Sequence, residues 1–117
     1  MKILADVLVG LVALLHVYIL VLEMFLWRTP RARKAFGTTE AFAEQSAPLA
    51  ANQGLYNGFL AAGLIWGLVA GNVGAMVFFT SCVVVAGGYG GITANRRILL
   101  VQALPGALAL VAVLAAR

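Results

Sequence analysis

The chain has 117 residues, 63% of them hydrophobic and 10% charged, with a net charge of +4 and a mean hydropathy of +1.02. A soluble domain is nearer half apolar and a quarter charged, so this composition argues against a cytoplasmic enzyme or a nucleic-acid-binding domain. One membrane-spanning helix takes about 20 apolar residues, and four of them with short links use the whole length.

The first apolar run covers 3–27. Lys2 in front of it suggests a signal peptide, but the run is too long for a signal core and no small-x-small cleavage site follows. Thr29, Pro30 and three basic residues mark a stop at the membrane surface. The run reads as a true spanning helix.

Residues 28–48 form the one long loop. Pro30 suits the first position of a short helix, with Thr29 as its N-cap and Gly37 closing it in the left-handed conformation. Thr38 or Thr39 starts a second short segment through Glu44. Phe36 and Phe42 give this loop apolar contacts, so it is expected to be amphipathic and to lie along the bilayer surface.

The second span covers about 49–70 and the third about 75–94, joined by the tight turn Gly71-Asn72-Val73-Gly74. Asn95-Arg96-Arg97 is a short basic turn. The fourth span covers about 98–116 and contains Pro105. Membrane helices tolerate such a proline when neighbours satisfy the freed carbonyl. The expected fold is an all-α integral membrane bundle of four transmembrane helices in one domain, 1–117.

Charge placement sets the expected topology. The first and third loops hold Arg28, Arg31, Arg33, Lys34, Arg96 and Arg97, while the opposite side holds Lys2 and Arg117. Six against two puts the first and third loops in the cytoplasm and both termini outside. These cations form no face that tracks phosphates along a strand of nucleic acid. Cys82 stands alone, which excludes an intrachain disulfide and fits a small buried hydrophobe.

Polar residues inside the spans are costly, so they carry the functional information. His16 and Glu23 lie two turns apart on one face of the first helix. The second helix contributes Asn52, Gln53, Tyr56 and Asn57, the third Tyr89, and the fourth Gln102. Counting from the expected span ends puts Glu23, Gln53, Tyr89 and Gln102 about 6–8 Å below the cytoplasmic surface. His16 lies roughly 10 Å deeper, with Asn57 between. The expectation is a polar layer with a stem toward the membrane centre.

Two readings of that layer compete. In one, it is structural glue, with Glu23 paired to Arg28 or Arg97 and the amides bonded across helices. In the other, these eight residues line a cytoplasm-facing cavity for a small ligand or a proton, with Glu23 as the charge-bearing group and His16 as its partner or proton relay. No metal or haem site is expected. One histidine, one nearby glutamate and a buried cysteine lack the necessary ligand number and spacing. Asp6 reads as an interfacial carboxylate.

Glycine is the second signal. Gly54, Gly58, Gly63, Gly67 and Gly71 make small-xxx-small steps along the second helix, and Gly87-Gly88-Tyr89-Gly90-Gly91 lies in the third. Such residues let helix backbones approach closely. The third-helix run either packs closely, kinks, or unwinds around a ligand as in broken transporter helices.

Three blocks carry a family resemblance: His16 to Trp27 followed by Pro30, Leu49 to Ala61 with its core Asn52-Gln53-Gly54-Leu55-Tyr56-Asn57-Gly58, and Gly87 to Gly91 with Val101-Gln102-Ala103-Leu104-Pro105. The chain resembles a bacterial family of small, uncharacterised integral membrane proteins, domain of unknown function 1304. The resemblance spans nearly the whole chain. It implies a four-helix architecture and an inner-membrane location, and it implies no activity.

The leading expectation is a ligand-binding or transport-like membrane protein that works as a homo-oligomer through its glycine faces. The alternative is an accessory or assembly subunit of a membrane complex with a purely structural polar layer. A membrane enzyme acting on a lipid or quinone ranks third, because nothing resembles a nucleophile-base-orienter set.

Overall fold

The computed structural model describes residues 1–116. Arg117, counted above toward the outer face, lies outside them. The described residues are all-α, with five α-helices and one wide-turn segment and no strand.

Helix α1 runs Lys2–Met24 through the first apolar run. It stops three residues before the expected end, because the N–H groups of Phe25 and Leu26 both turn back onto the Val21 carbonyl at 3.0 and 3.1 Å. Helix α2, Pro30–Phe36, has the caps its sequence predicts. Thr29 Oγ1 accepts from the Ala32 N–H at 3.3 Å, and Gly37 takes φ 69°. The Thr38 N–H then bonds the Arg33 carbonyl at 3.0 Å, closing the helix end.

Helix α3 runs Glu40–Ala70 without interruption. The expected short segment ending at Glu44 and the expected span from 49 are thus one helix of 31 residues. Thr39 Oγ1 starts it by accepting from the Phe42 N–H at 3.1 Å. Pro48 lies inside and removes one donor, the partner of the Glu44 carbonyl. Both residues are exposed, so solvent can take that carbonyl and the helix continues.

The turn after α3 is a complete Schellman motif. Gly71 has φ 62°, the Asn72 N–H reaches the Gly67 carbonyl at 2.9 Å, and the Gly71 N–H reaches Leu68 at 3.3 Å. Asn72 Oδ1 then accepts from the Ala75 N–H at 3.0 Å and starts α4, Val73–Thr93. The run 87–91 stays helical throughout.

After the basic turn, Leu99–Ala103 forms a π-helical turn, followed by α5, Leu104–Ala116. The Leu104 N–H bonds back to the Leu99 carbonyl, five residues away. Pro105 comes immediately after. Its ring cannot share a normal turn with the carbonyl four residues earlier, and the wider turn sits where that clash would fall.

The chain forms two compact units, Met1–Leu14 with the chain from Leu60 onward, and Leu15–Phe59. The first has a core of Ala5, Val9, Val12, Ala13, Leu64, Met76, Val83, Ala109, Ala112 and Val113. Small residues set its packing distance. A methyl group on Gly87 would fall 2.6 Å from the Ala103 backbone nitrogen, and one on Gly106 would fall 2.7 Å from Val83 Cγ1. Gly63 meets the Phe79 ring and Gly91 the Leu99 side chain just as closely. Gly87 and Gly91 of the α4 run thus serve close packing within the chain, whereas Gly88 does not.

Three helical stretches are long and apolar enough to cross a membrane: Lys2–Met24, Val73–Thr93 and Leu99–Ala116, with mean hydropathies of 2.4, 1.7 and 2.3. A third or less of their most apolar parts is buried within the chain. The rest presents residues such as Ile3, Val85 and Ile92 outward. A surface this apolar needs a non-aqueous surrounding, which is consistent with a membrane protein. The expected second span, 49–70, is not among the three. Asn52, Gln53, Asn57 and its glycines dilute its apolar content.

Candidate functional site

The unit Leu15–Phe59 holds the buried polar residues of α1 and α3. On α1, His16, Ile19 and Glu23 fall on one buried face, as helical periodicity requires. His16 is 1% exposed and Glu23 7%. On α3, Asn57 is 5% exposed. Its Nδ2 donates to Glu23 Oε1 at 2.6 Å.

Two glycines make this contact possible. A methyl group on Gly54 would lie 2.6 Å from Met24 Cγ, 3.1 Å from Glu23 Cβ and 3.3 Å from the Leu20 carbonyl oxygen. One on Gly58 would lie 2.7 Å from Leu20 Cδ1. The bare Cα positions of α3 therefore face α1 at the level of the carboxyl group. Asn57, one turn along from Gly54, meets Glu23 from the same side.

Among the described residues there is one ion pair, Lys2 with Asp6 at 2.9 Å near the chain start. Glu23 makes none with Arg28. Its partner is a neutral amide, which can donate to a carboxylate or to the carbonyl oxygen of a carboxylic acid. The pair therefore accommodates either protonation state without losing its hydrogen bond.

The other expected site residues lie elsewhere. Asn52, Gln53 and Tyr56 are exposed on α3, with Tyr56 packed edge-on against Phe59 at 5.7 Å between ring centroids. Tyr89 is 73% exposed on α4. Gln102 is half-buried within the π-helical turn, where its Cβ lies 3.0 Å from the position a Gly87 methyl would take. Of the eight, then, only Glu23 and Asn57 are seen bonded to each other, and His16 is the only other one buried.

Trp27, an aromatic residue outside the expected polar layer, is an organising residue. Its Nε1–H donates to Ser46 Oγ at 3.0 Å, and Ser46 Oγ donates onward to the Phe42 carbonyl at 2.7 Å. Its ring packs on Phe36 at 4.9 Å. One side chain thus ties the end of α1 to both α2 and α3. Beside it lies an open groove of about 410 Å³ lined by Met24, Phe25, Trp27, Arg28, Thr29 and Ala47. No group of three or more His, Cys, Asp or Glu side chains that could hold a metal ion occurs among the described residues.

The sequence pattern of the family described as "Protein of unknown function (DUF1304)" matches residues 10–114. The chain belongs to this family. It is also similar to Uncharacterized protein YpaA of Lactococcus lactis subsp. lactis (strain IL1403), at 32% identity over 127 residues that cover 97% of each chain. No solved structure matches it. The match covers Glu23, Asn57 and the two glycines, Gly54 and Gly58, that seat the pair.

Proposed function

We propose that the chain crosses the bacterial inner membrane four times as a helical bundle, and that the Glu23–Asn57 pair is the centre of a cytoplasm-facing site for a small molecule or a proton. To the three long apolar stretches we add 49–70 of α3 as the second span in chain order, about 33 Å of helix, which is close to the hydrocarbon thickness. The Lys and Arg count favours an orientation with both termini outside.

One observation carries the functional reading: the buried carboxyl of Glu23 is held by an amide and not by a cation. A carboxyl placed in a membrane only as glue gains most from a compensating positive charge. Here the compensating charge is left to be supplied from outside, as a proton or as a cationic group on a ligand. His16, two turns along the same face, is the relay candidate.

Glu23→Gln tests this cleanly. The amide keeps the shape and can still bond Asn57, but it cannot bind or release a proton. Wild type and variant are reconstituted into vesicles loaded with a pH-sensitive dye, and proton flux is followed under an imposed gradient. The expected result is loss of flux in the variant, together with loss of any ligand-induced thermal shift. Unchanged flux and unchanged shifts sink the proposal.

A second reading has its own support. Asn52, Gln53 and Tyr56 project outward from α3, and their polar groups gain from a partner helix. That favours an accessory or assembly subunit. The glycines at 54, 58, 63 and 67 already meet atoms of the same chain, so the polar face of α3 is the better contact surface. Co-purification of a stoichiometric membrane partner supports this reading, and a monodisperse homo-oligomer counts against it.

A further inference from the structure

Four cations crowd the turn and short helix that follow α1: Arg28, Arg31, Arg33 and Lys34. None pairs with a carboxylate, since the one ion pair among the described residues is Lys2 with Asp6. Arg33 Nε donates to the Arg28 carbonyl at 3.2 Å, and Arg31 reaches the Tyr18 hydroxyl at 3.5 Å. The positive charge of this segment is therefore unpaired with any carboxylate among the described residues.

The groove beside it is amphiphilic. Its lining combines the polar Arg28 and Thr29 with the apolar Met24 and Phe25, and Trp27 forms a wall that is fixed by Ser46 and Phe36. Phe25 is 72% exposed. Below Met24 the surface continues along α1, a stretch apolar enough to lie in a bilayer. An occupant that suits all of this carries negative charge at one end and hydrocarbon at the other.

We propose that this groove seats the headgroup of an anionic phospholipid, with its phosphate on Arg28 and the top of its acyl chain against Met24 and Phe25. A guanidinium is suited to bidentate contact with phosphate oxygens, and basic residues beside a span attract anionic headgroups. A tryptophan at the end of a spanning helix sits at headgroup level, where its ring can border both regions. The inference rests on the membrane placement of α1 and is independent of any role for Glu23.

Trp27 is also the reporter. In a Trp66→Phe background it is the only tryptophan. The protein is reconstituted in phosphatidylcholine vesicles containing a small fraction of either phosphatidylglycerol or phosphatidylcholine brominated near the top of the acyl chain. Brominated phosphatidylglycerol is expected to quench Trp27 at a lower mole fraction than brominated phosphatidylcholine. Arg28→Gln is expected to reduce that preference about fivefold, the effect of one cation near the surface, while Arg96→Gln leaves it intact. Equal quenching by the two lipids overturns the proposal without recourse to any variant at Arg28. So does an undiminished preference in Arg28→Gln. Loss of the preference on adding millimolar inorganic phosphate overturns it too, since the groove is then a site for free anions.

Discussion

Asn57 holds its amide nitrogen 2.6 Å from Oε1 of Glu23, across 34 positions of sequence, with both side chains buried. A bond of this kind in a membrane is expected to couple the two residues by about 0.6–2 kcal/mol. Asn57→Leu should destabilise the protein by about 1–3 kcal/mol, because the Glu23 oxygen loses its donor. Replacing both residues by Leu should cost less than the sum of the single changes. A double-mutant cycle on unfolding in mixed micelles measures this directly, and additive effects contradict it.

Gly54 and Gly88 make a paired test of close packing. A methyl group at 54 meets Met24, Glu23 and the Leu20 carbonyl, whereas one at 88 meets nothing within 4 Å. Gly54→Ala should cost about 1–3 kcal/mol. Gly88→Ala should be near neutral or slightly stabilising, since Ala is the better helix former by up to about 1 kcal/mol. Thermal stability in detergent separates the two outcomes.

Thr29 has two bonds to lose. Its Oγ1 accepts from the Ala32 N–H and donates to the Leu26 carbonyl at 2.6 Å. Thr29→Ala should cost about 1 kcal/mol of local stability, and Thr29→Ser should restore most of it. Amide exchange at Ala32 and Arg33 is the readout, with faster exchange expected in the alanine variant alone.

Trp27→Phe should remove the indole bond to Ser46 while keeping a ring against Phe36. The expected cost is about 0.5–1.5 kcal/mol. Trp27→Ala should cost more, since the aromatic contact and its buried area go as well. Limited proteolysis across 28–39 should follow the order wild type, Phe, Ala, from most to least resistant.

Local chemistry made some of this structure legible from the residues. Thr29, Pro30 and Gly37 announced α2 and its limits, because caps and left-handed glycines act through neighbours in sequence, and Gly71-Asn72 announced the turn before α4, which starts two residues earlier than expected. The continuity of α3 was not legible. Residues 28–48 read as a loop with a short segment ending at Glu44, whereas the exposed position of Glu44 and Pro48 lets the helix run on past the proline. The partner of Glu23 was hidden for another reason. Depth counting matched it with Gln53, but depth gives a level along a helix and not a direction around it. Where lipid covers one face and an apolar core the other, hydrophobic periodicity no longer marks which way a side chain points. Gly54, which brings α1 and α3 together at that level, decides that Asn57 faces the carboxyl and Gln53 does not.

The turn at Leu99–Ala103 has a consequence for the length of the chain. A π-helical turn takes up one more residue than an α-turn over the same advance, so this segment carries a spare position. Deleting one residue there, together with Pro105→Ala to remove the ring that would otherwise clash with the carbonyl four residues earlier, should return the stretch to ordinary helix and leave the residues after it in register with α4. Elsewhere in α4 or α5, the same deletion would rotate every later side chain by about 100°. Once the proline is replaced, this turn is a place where the helix can be shortened without being turned.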